Sequence, residues 1–209
     1  MLSRDEAMAL LVEYGEGLPW TRHCVAVADA AEAVASLLKD PRAVDVDSLW
    51  SAALLHDIGR YATHDAIMHG VEGYKLLMDL GHEDAAFVCA SHIAFGLRAS
   101  EAARFGLPAQ DFLPRTLTER IVPLVDLLLE GDRPTTLEMR FASLRERNGG
   151  NRPFIAMLDR ALSVATLFMA ELDEETGRSV EQVVASMGGV PNSVRPRHER
   201  CGTTEMGDS

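Results

Sequence analysis

A chain of 209 residues with 47% hydrophobic and 25% charged residues has the make-up of one folded domain with a substantial core, not of a disordered segment. Its 32 acidic against 20 basic residues leave a formal charge of −12, which disfavours electrostatic binding of a long nucleic acid, so a phosphate ligand needs a local cation. Cys24, Cys89 and Cys201 form no metal or redox motif; Met1 to Glu6 lacks the order of a leader, and no apolar run nears the ~18 residues of a membrane span, so a cytoplasmic protein away from membranes is expected.

Ser3 followed by Glu6 is a capping-box pattern, and Ala7, Leu10, Leu11 and Tyr14 continue it at helical spacing until Gly15 and Gly17. Trp20 to Lys39 reads as a second helix with Val25, Ala28, Ala31, Ala35 and Leu38 inward, ended by Asp40-Pro41; His23 lies in its first turn. Asp47 is the expected cap of a third helix that carries Leu49, Trp50, Ala53, Leu54 and Ile58 to a stop at Gly59. Its last turn holds His56 and Asp57, two groups that are costly to bury without partners.

A polar segment with His64 precedes a helix from His69 to Met78, with Val71, Tyr74, Leu77 and Met78 inward. Glu83 to Phe95 is the next predicted helix, with Ala86, Phe87, Ala90 and Ile93 as its stripe and His92 near its end. After a helical turn over Ser100 to Phe105, Thr116 and Glu119 cap an apolar helix through Leu129, in which Pro123 should bend the axis and Asp126 is a lone charge. Such a carboxylate wants a facing cation, either a metal or an arginine. Thr136 to Arg147 and Phe154 to Leu172 are further helices, and Ser179 with Gln182 caps a last one to about Met187. Residues 1–189 thus read as one all-α domain of about seven to nine helices without strands, and 190–209 as a mobile tail in which His198 and Cys201 are weak ligand candidates.

His23, His56, Asp57, His69, His92 and Asp126 sit awkwardly on five different helices. Helix bundles build metal sites from facing helices, and a mixed imidazole and carboxylate set suits iron, manganese, nickel, cobalt or zinc. The order His23, then Leu54-Leu55-His56-Asp57-Ile58-Gly59-Arg60, then Asp126 resembles the signature of the HD-domain superfamily. His69-Gly70-Val71-Glu72-Gly73, Ser91-His92-Ile93, Ala102 to Pro108 and Thr116 to Val122 narrow this to a small HDIG-type group of stand-alone hydrolase-like domains, over roughly residues 18 to 150.

The resemblance implies that His23, His56, Asp57 and Asp126 hold a first metal and that His69 and His92 serve a second, bridged by Asp57. His64 is a rival to His69. Val125 departs from the small residue that commonly precedes the last aspartate. Asp57 and Arg60 are the expected catalytic residues, Arg60 as a stabiliser of phosphate charge or, equally, as a surface cation at a helix end. The implied activity is phosphohydrolysis of a small phosphorylated metabolite or nucleotide with two divalent ions, magnesium included among the candidates. A dinuclear-iron oxygenase and a non-catalytic metal or nucleotide sensor are the alternatives.

Overall fold

The computed structural model describes residues 2–187, so the tail expected over 190–209, with His198 and Cys201, lies outside the described residues. Ten α-helices account for most of them: α1 Arg4–Gly15, α2 Trp20–Ala35, α3 Val46–Leu55, α4 Met68–Asp79, α5 Glu83–Ser91, α6 Ala99–Arg104, α7 Leu117–Leu127, α8 Leu137–Arg147, α9 Arg152–Thr176 and α10 Val180–Met187. That is one more than the expected range. Between α7 and α8 the strands β1, Leu129–Glu130, and β2, Arg133–Pro134, form a two-stranded antiparallel hairpin that the strand-free reading did not contain. Two-residue strands leave no period-2 signature; the available signal was Gly131-Asp132, with Gly131 at φ +61°.

Helix starts follow the predicted caps at Ser3 and Thr116, both with full capping boxes, and Thr136, the predicted first residue of its helix, caps α8. Several boundaries differ, among them α7, which ends at Leu127, and α9, which runs from Arg152 to Thr176. Asp45, not Asp47, caps α3 by accepting from the Ser48 N–H, and Asp47 pairs with Arg4 instead. α2 ends at Ala35, short of Lys39. The predicted Glu83 to Phe95 helix breaks at His92, because Ala94 and Phe95 take positive φ (46° and 56°), costing ~1 to 3 kcal/mol each.

α3 is the centre of the packing, with every residue from Leu49 to Leu55 buried; each fully buried leucine contributes about 2 kcal/mol over its exposed state. α2, α5 and α7 pack around it, and α4 lies against α5 and the 3-10 turn Ile58–Tyr61. Met78, expected inward, is on the surface. Among the described residues one helix, α9, is long and apolar enough to cross a membrane, which the absence of a continuous apolar run had hidden. Three of its charges pair with neighbouring elements: Asp159 with Arg145, Arg160 with Glu101 and Glu171 with Arg120.

Close approach at the 3-10 turn requires a glycine. A Cβ on Gly59 would lie 1.9 Å from the His69 carbonyl oxygen and 2.3 Å from the Gly73 nitrogen, both backbone atoms that cannot yield without moving α4. Gly59→Ala should therefore cost about 3 kcal/mol, a Tm fall of roughly 6 to 12 °C by thermal unfolding. Gly150→Ala, where an added Cβ meets nothing within 4 Å, should leave Tm within about 2 °C of the parent.

Candidate metal centre

Each element delivers one or two donors to a common point. His23 comes from the first turn of α2, His56 is the C-cap of α3, and Asp57 opens the 3-10 turn that carries Arg60. His56 and Asp57 thus stand at a junction between two helix types, not within a last α-turn as expected, and the change of direction lets both side chains face the same interior. His69 lies in the first turn of α4, His92 is the C-cap of α5, and Asp126 is near the end of α7. Pro123 and its missing N–H sit one turn before Asp126.

The four imidazoles share one device. Nδ1 of His23 donates to the Gly131 carbonyl (2.8 Å), that of His56 to Ala53 (2.7 Å), that of His69 to Asp65 (2.7 Å) and that of His92 to Cys89 (2.8 Å). A carbonyl only accepts, so every Nδ1 carries a proton, and in the neutral ring the lone pair is on Nε2. The hairpin missed from the sequence is what holds His23. Asp65 does the same for His69: its side chain accepts from Ile67 and Met68 while its carbonyl fixes the ring.

All four Nε2 atoms converge on the two aspartates. Asp126 Oδ1 is 3.0 Å from His23 Nε2 and 3.8 Å from His56 Nε2. Asp57 faces both ways: Oδ2 lies 3.7 Å from His23 and 3.8 Å from His56, whereas Oδ1 lies 2.9 Å from His69 and 3.5 Å from His92. Donors ~2.1 Å from one ion at tetrahedral or octahedral angles stand ~3.0 to 3.4 Å apart, close to these separations. The donor atoms of His23, His56 and Asp126 fall within 4.8 Å of one another, as do those of His56, Asp57 and His92. His64 is exposed at the rim of the cleft, away from this cluster.

The donor set fits divalent ions on a direct observation. His56 Nε2 and Asp57 Oδ1 are enclosed and have no hydrogen-bond partner, and the Nε2 atoms of His69 and His92 are 3.1 Å apart. Two lone pairs at that distance repel unless a cation or a proton lies with them. A scattered set of separately satisfied core histidines is not what the structure contains.

Burial pushes the His56 pKa down to about 4 and lowers that of His69 as well, so both stay neutral and available as ligands. Burial also works to lower that of His23, but the hydrogen bond and charge of Asp126, with the charge of Asp57, overcome it and raise the value. For Asp57 burial acts upward, yet the His69 ring and the Arg60 guanidinium beside it hold it well below the usual carboxylate range; Arg60 Nε donates to its Oδ2. Asp126 is likewise lowered against its burial, by His23 first.

Arg60 is therefore not a surface cation; it leans on Asp57 and lines a cleft of about 260 Å³ above the cluster. Arg140 and Arg147 of α8 and its C-cap Asn148 line it too, and none of them was singled out in the sequence. Glu72 and Lys75 pair with each other on α4. Because a metal at His23 must displace the proton favoured there, its affinity should fall by up to about tenfold per pH unit as pH drops through the raised His23 pKa. Competition with a chromophoric chelator across neutral pH measures this, and His23→Gln should flatten the profile.

Comparison with known proteins agrees with the donor set. The HD domain family model matches residues 20–139, more than half of the chain and a span that includes all six clustered residues. An uncharacterized protein of Methanocaldococcus jannaschii is 38% identical over 135 residues, covering 64% of this chain and 79% of that protein. The tRNA (cytidine(56)-2'-O)-methyltransferase of Thermoplasma volcanium is 31% identical over 169 residues, 79% of this chain but 47% of the relative. Its counterpart in Picrophilus torridus is 30% identical over 138 residues, 66% of this chain and 38% of the relative. The chain spans less than half the length of these two methyltransferases. No solved structure matches. With its His56-Asp57 pair inside the matched span and an all-helical bundle around it, the chain belongs to the HD domain family, whose members bind divalent metal ions.

Proposed function

We propose that the chain is a cytoplasmic metal-dependent phosphohydrolase that acts on a small phosphorylated metabolite or nucleotide through a dinuclear centre. The observation that carries this reading is the two-faced setting of Asp57, with His23 and His56 toward one oxygen and His69 and His92 toward the other. In this assignment His23, His56, Asp126 and Asp57 would hold one ion, and His69 and His92 with Asp57 would hold the other. Divalent ions bound there would lower the pKa of water toward neutrality and offset the negative charge of phosphate oxygens.

The chain's own residues do the rest. The tautomer-locked rings keep their lone pairs aimed inward without adding negative charge, so the cationic character of the centre is preserved for an anionic substrate. Asp57 sets the spacing between the two halves. Arg60, held through Asp57 at the cleft wall, is placed to donate to a phosphate oxygen and to stabilise charge that develops in the transition state. Ile93, Leu144 and Phe154 give the cleft an apolar part that limits access of water.

The relatives that are named tRNA methyltransferases support a second reading, in which the domain serves an RNA substrate. The formal charge of −12 weighs against it, since phosphate-backbone binding gains from counterion release only on a cationic surface. The cleft volume of about 260 Å³ also suits a small molecule better than a strand. We take the substrate to be small, with neither long nucleic acid nor membrane as a partner.

Phosphate release from nucleotides and sugar phosphates, screened with manganese, nickel, cobalt, iron, zinc or magnesium, tests the activity. Asp57→Ala should lower metal content from about two ions per chain to one or none, and cut turnover by more than the ~100-fold typical of changes one shell further out. Full metal content in that variant contradicts the bridge. Oxygen consumption with iron and no phosphate release would favour an oxygenase, and tight ligand binding without turnover would favour a sensor.

A further inference from the structure

α8 forms one wall of the cleft and presents Arg140, Leu144 and Arg147 to it at helical spacing, followed by its C-cap Asn148. Arg140 stands out. Its side chain is 11% exposed, its Nε is enclosed without a hydrogen-bond partner, and the carboxylate oxygens facing it, Asp126 Oδ1 at 3.9 Å and Glu130 Oε1 at 3.7 Å, lie beyond hydrogen-bond length. A guanidinium offers five N–H donors in a planar fork, and burying that fork without partners is costly. Its geometry matches phosphate or carboxylate in a two-pronged grip.

Arg147 adds to it. Its Nη2 is 3.2 Å from the same Glu130 Oε1, an oxygen that also accepts from Ser143 Oγ at 2.7 Å. Two guanidinium groups that start ~10 Å apart along the helix therefore converge on one carboxylate oxygen. Once divalent ions offset Asp57 and Asp126, the arginines at positions 60, 140 and 147 face Glu130 alone. That leaves two positive charges on the arginine side of the cleft, apart from the anion that the ions themselves would attract.

We propose that Arg140 and Arg147 form a second anion-recognition point, so that this cleft selects small metabolites with two anionic groups. One is a phosphate at the metal cluster; the other is a phosphate or carboxylate gripped by α8. The first group rests on the phosphohydrolase reading, whereas the second rests on the arginine geometry. Both arginines lie just beyond the residues 20–139 that the family model matches. Glu130 acts as the resident competitor, holding the pair until a stronger anion takes its place.

Calorimetry on manganese-loaded protein tests this with methylphosphonate, phosphonoacetate and methylenediphosphonate, which differ in the second group and contain no scissile phosphoester. Metal content is assayed for each variant. The two-anion ligands should bind at least about tenfold more tightly than methylphosphonate, and Arg147→Gln, a half-exposed position, should reduce that ratio about tenfold. Arg140→Lys, which keeps the charge but loses the fork, should reduce it as well, and Glu130→Gln should raise it. A stronger preference for methylenediphosphonate identifies the second group as phosphate, and one for phosphonoacetate identifies it as carboxylate. A ratio near one in the parent protein, or a ratio unchanged in both arginine variants with metal retained, overturns the proposal. An arginine-dependent preference without phosphate release from any two-anion metabolite overturns the hydrolase reading alone; turnover with a ratio blind to both arginines overturns this one alone.

Discussion

Four imidazole lone pairs and two carboxylates, nearly all removed from water, are turned toward one another at the centre of a helical bundle. The arrangement is unfavourable for a protein on its own: the Nε2 atoms of His69 and His92 stand 3.1 Å apart, and those of His56 and one oxygen of Asp57 have no partner. Positive charge at the centre is what makes it tolerable. Arg60 supplies part of it through Asp57, and divalent ions would supply the remainder. Much of the surrounding fold serves to hold those six side chains against their mutual repulsion.

The holding is done by backbone. Four carbonyl groups, from Gly131, Ala53, Asp65 and Cys89, fix the four rings, and they come from a hairpin turn, the end of α3, the loop before α4 and the last turn of α5. Such anchoring needs α3, α4 and α5 close together. Gly59 lets the 3-10 turn touch α4, and at Gly70 a Cβ would come within 2.5 Å of the Cys89 carbonyl oxygen. The left-handed Ala94 and Phe95 then turn the chain away after His92, and Arg160 of α9 donates to the Gly96 carbonyl to hold that turn. Packing, strain and site are thus one construction.

Much of this was legible in the sequence because polar residues interrupt apolar helical patterns at particular places. His23, His56, Asp57, His69, His92 and Asp126 were all singled out, and the structure brings the six together. His64 and His69 could not be separated by spacing; the turn at Asp65 separates them, because its carbonyl fixes the ring of His69. The break at Ala94 was hidden because alanine rarely takes a left-handed conformation, and the helix pattern of Ala86, Ala90 and Ile93 runs straight through it. Arg140 and Arg147 were invisible for another reason. On a helix rich in charge they read as solvated, and only the packing of α8 against α9 turns their face to the cleft.

The central claim is that Asp57 stands between two ions. Anomalous diffraction at the manganese absorption edge, from crystals of protein loaded with manganese, tests it most directly. The account predicts two peaks ~3.5 to 4 Å apart, one beside His23, His56 and Asp126 and one beside His69 and His92, with an oxygen of Asp57 on each. A single peak, or peaks away from Asp57, would contradict it.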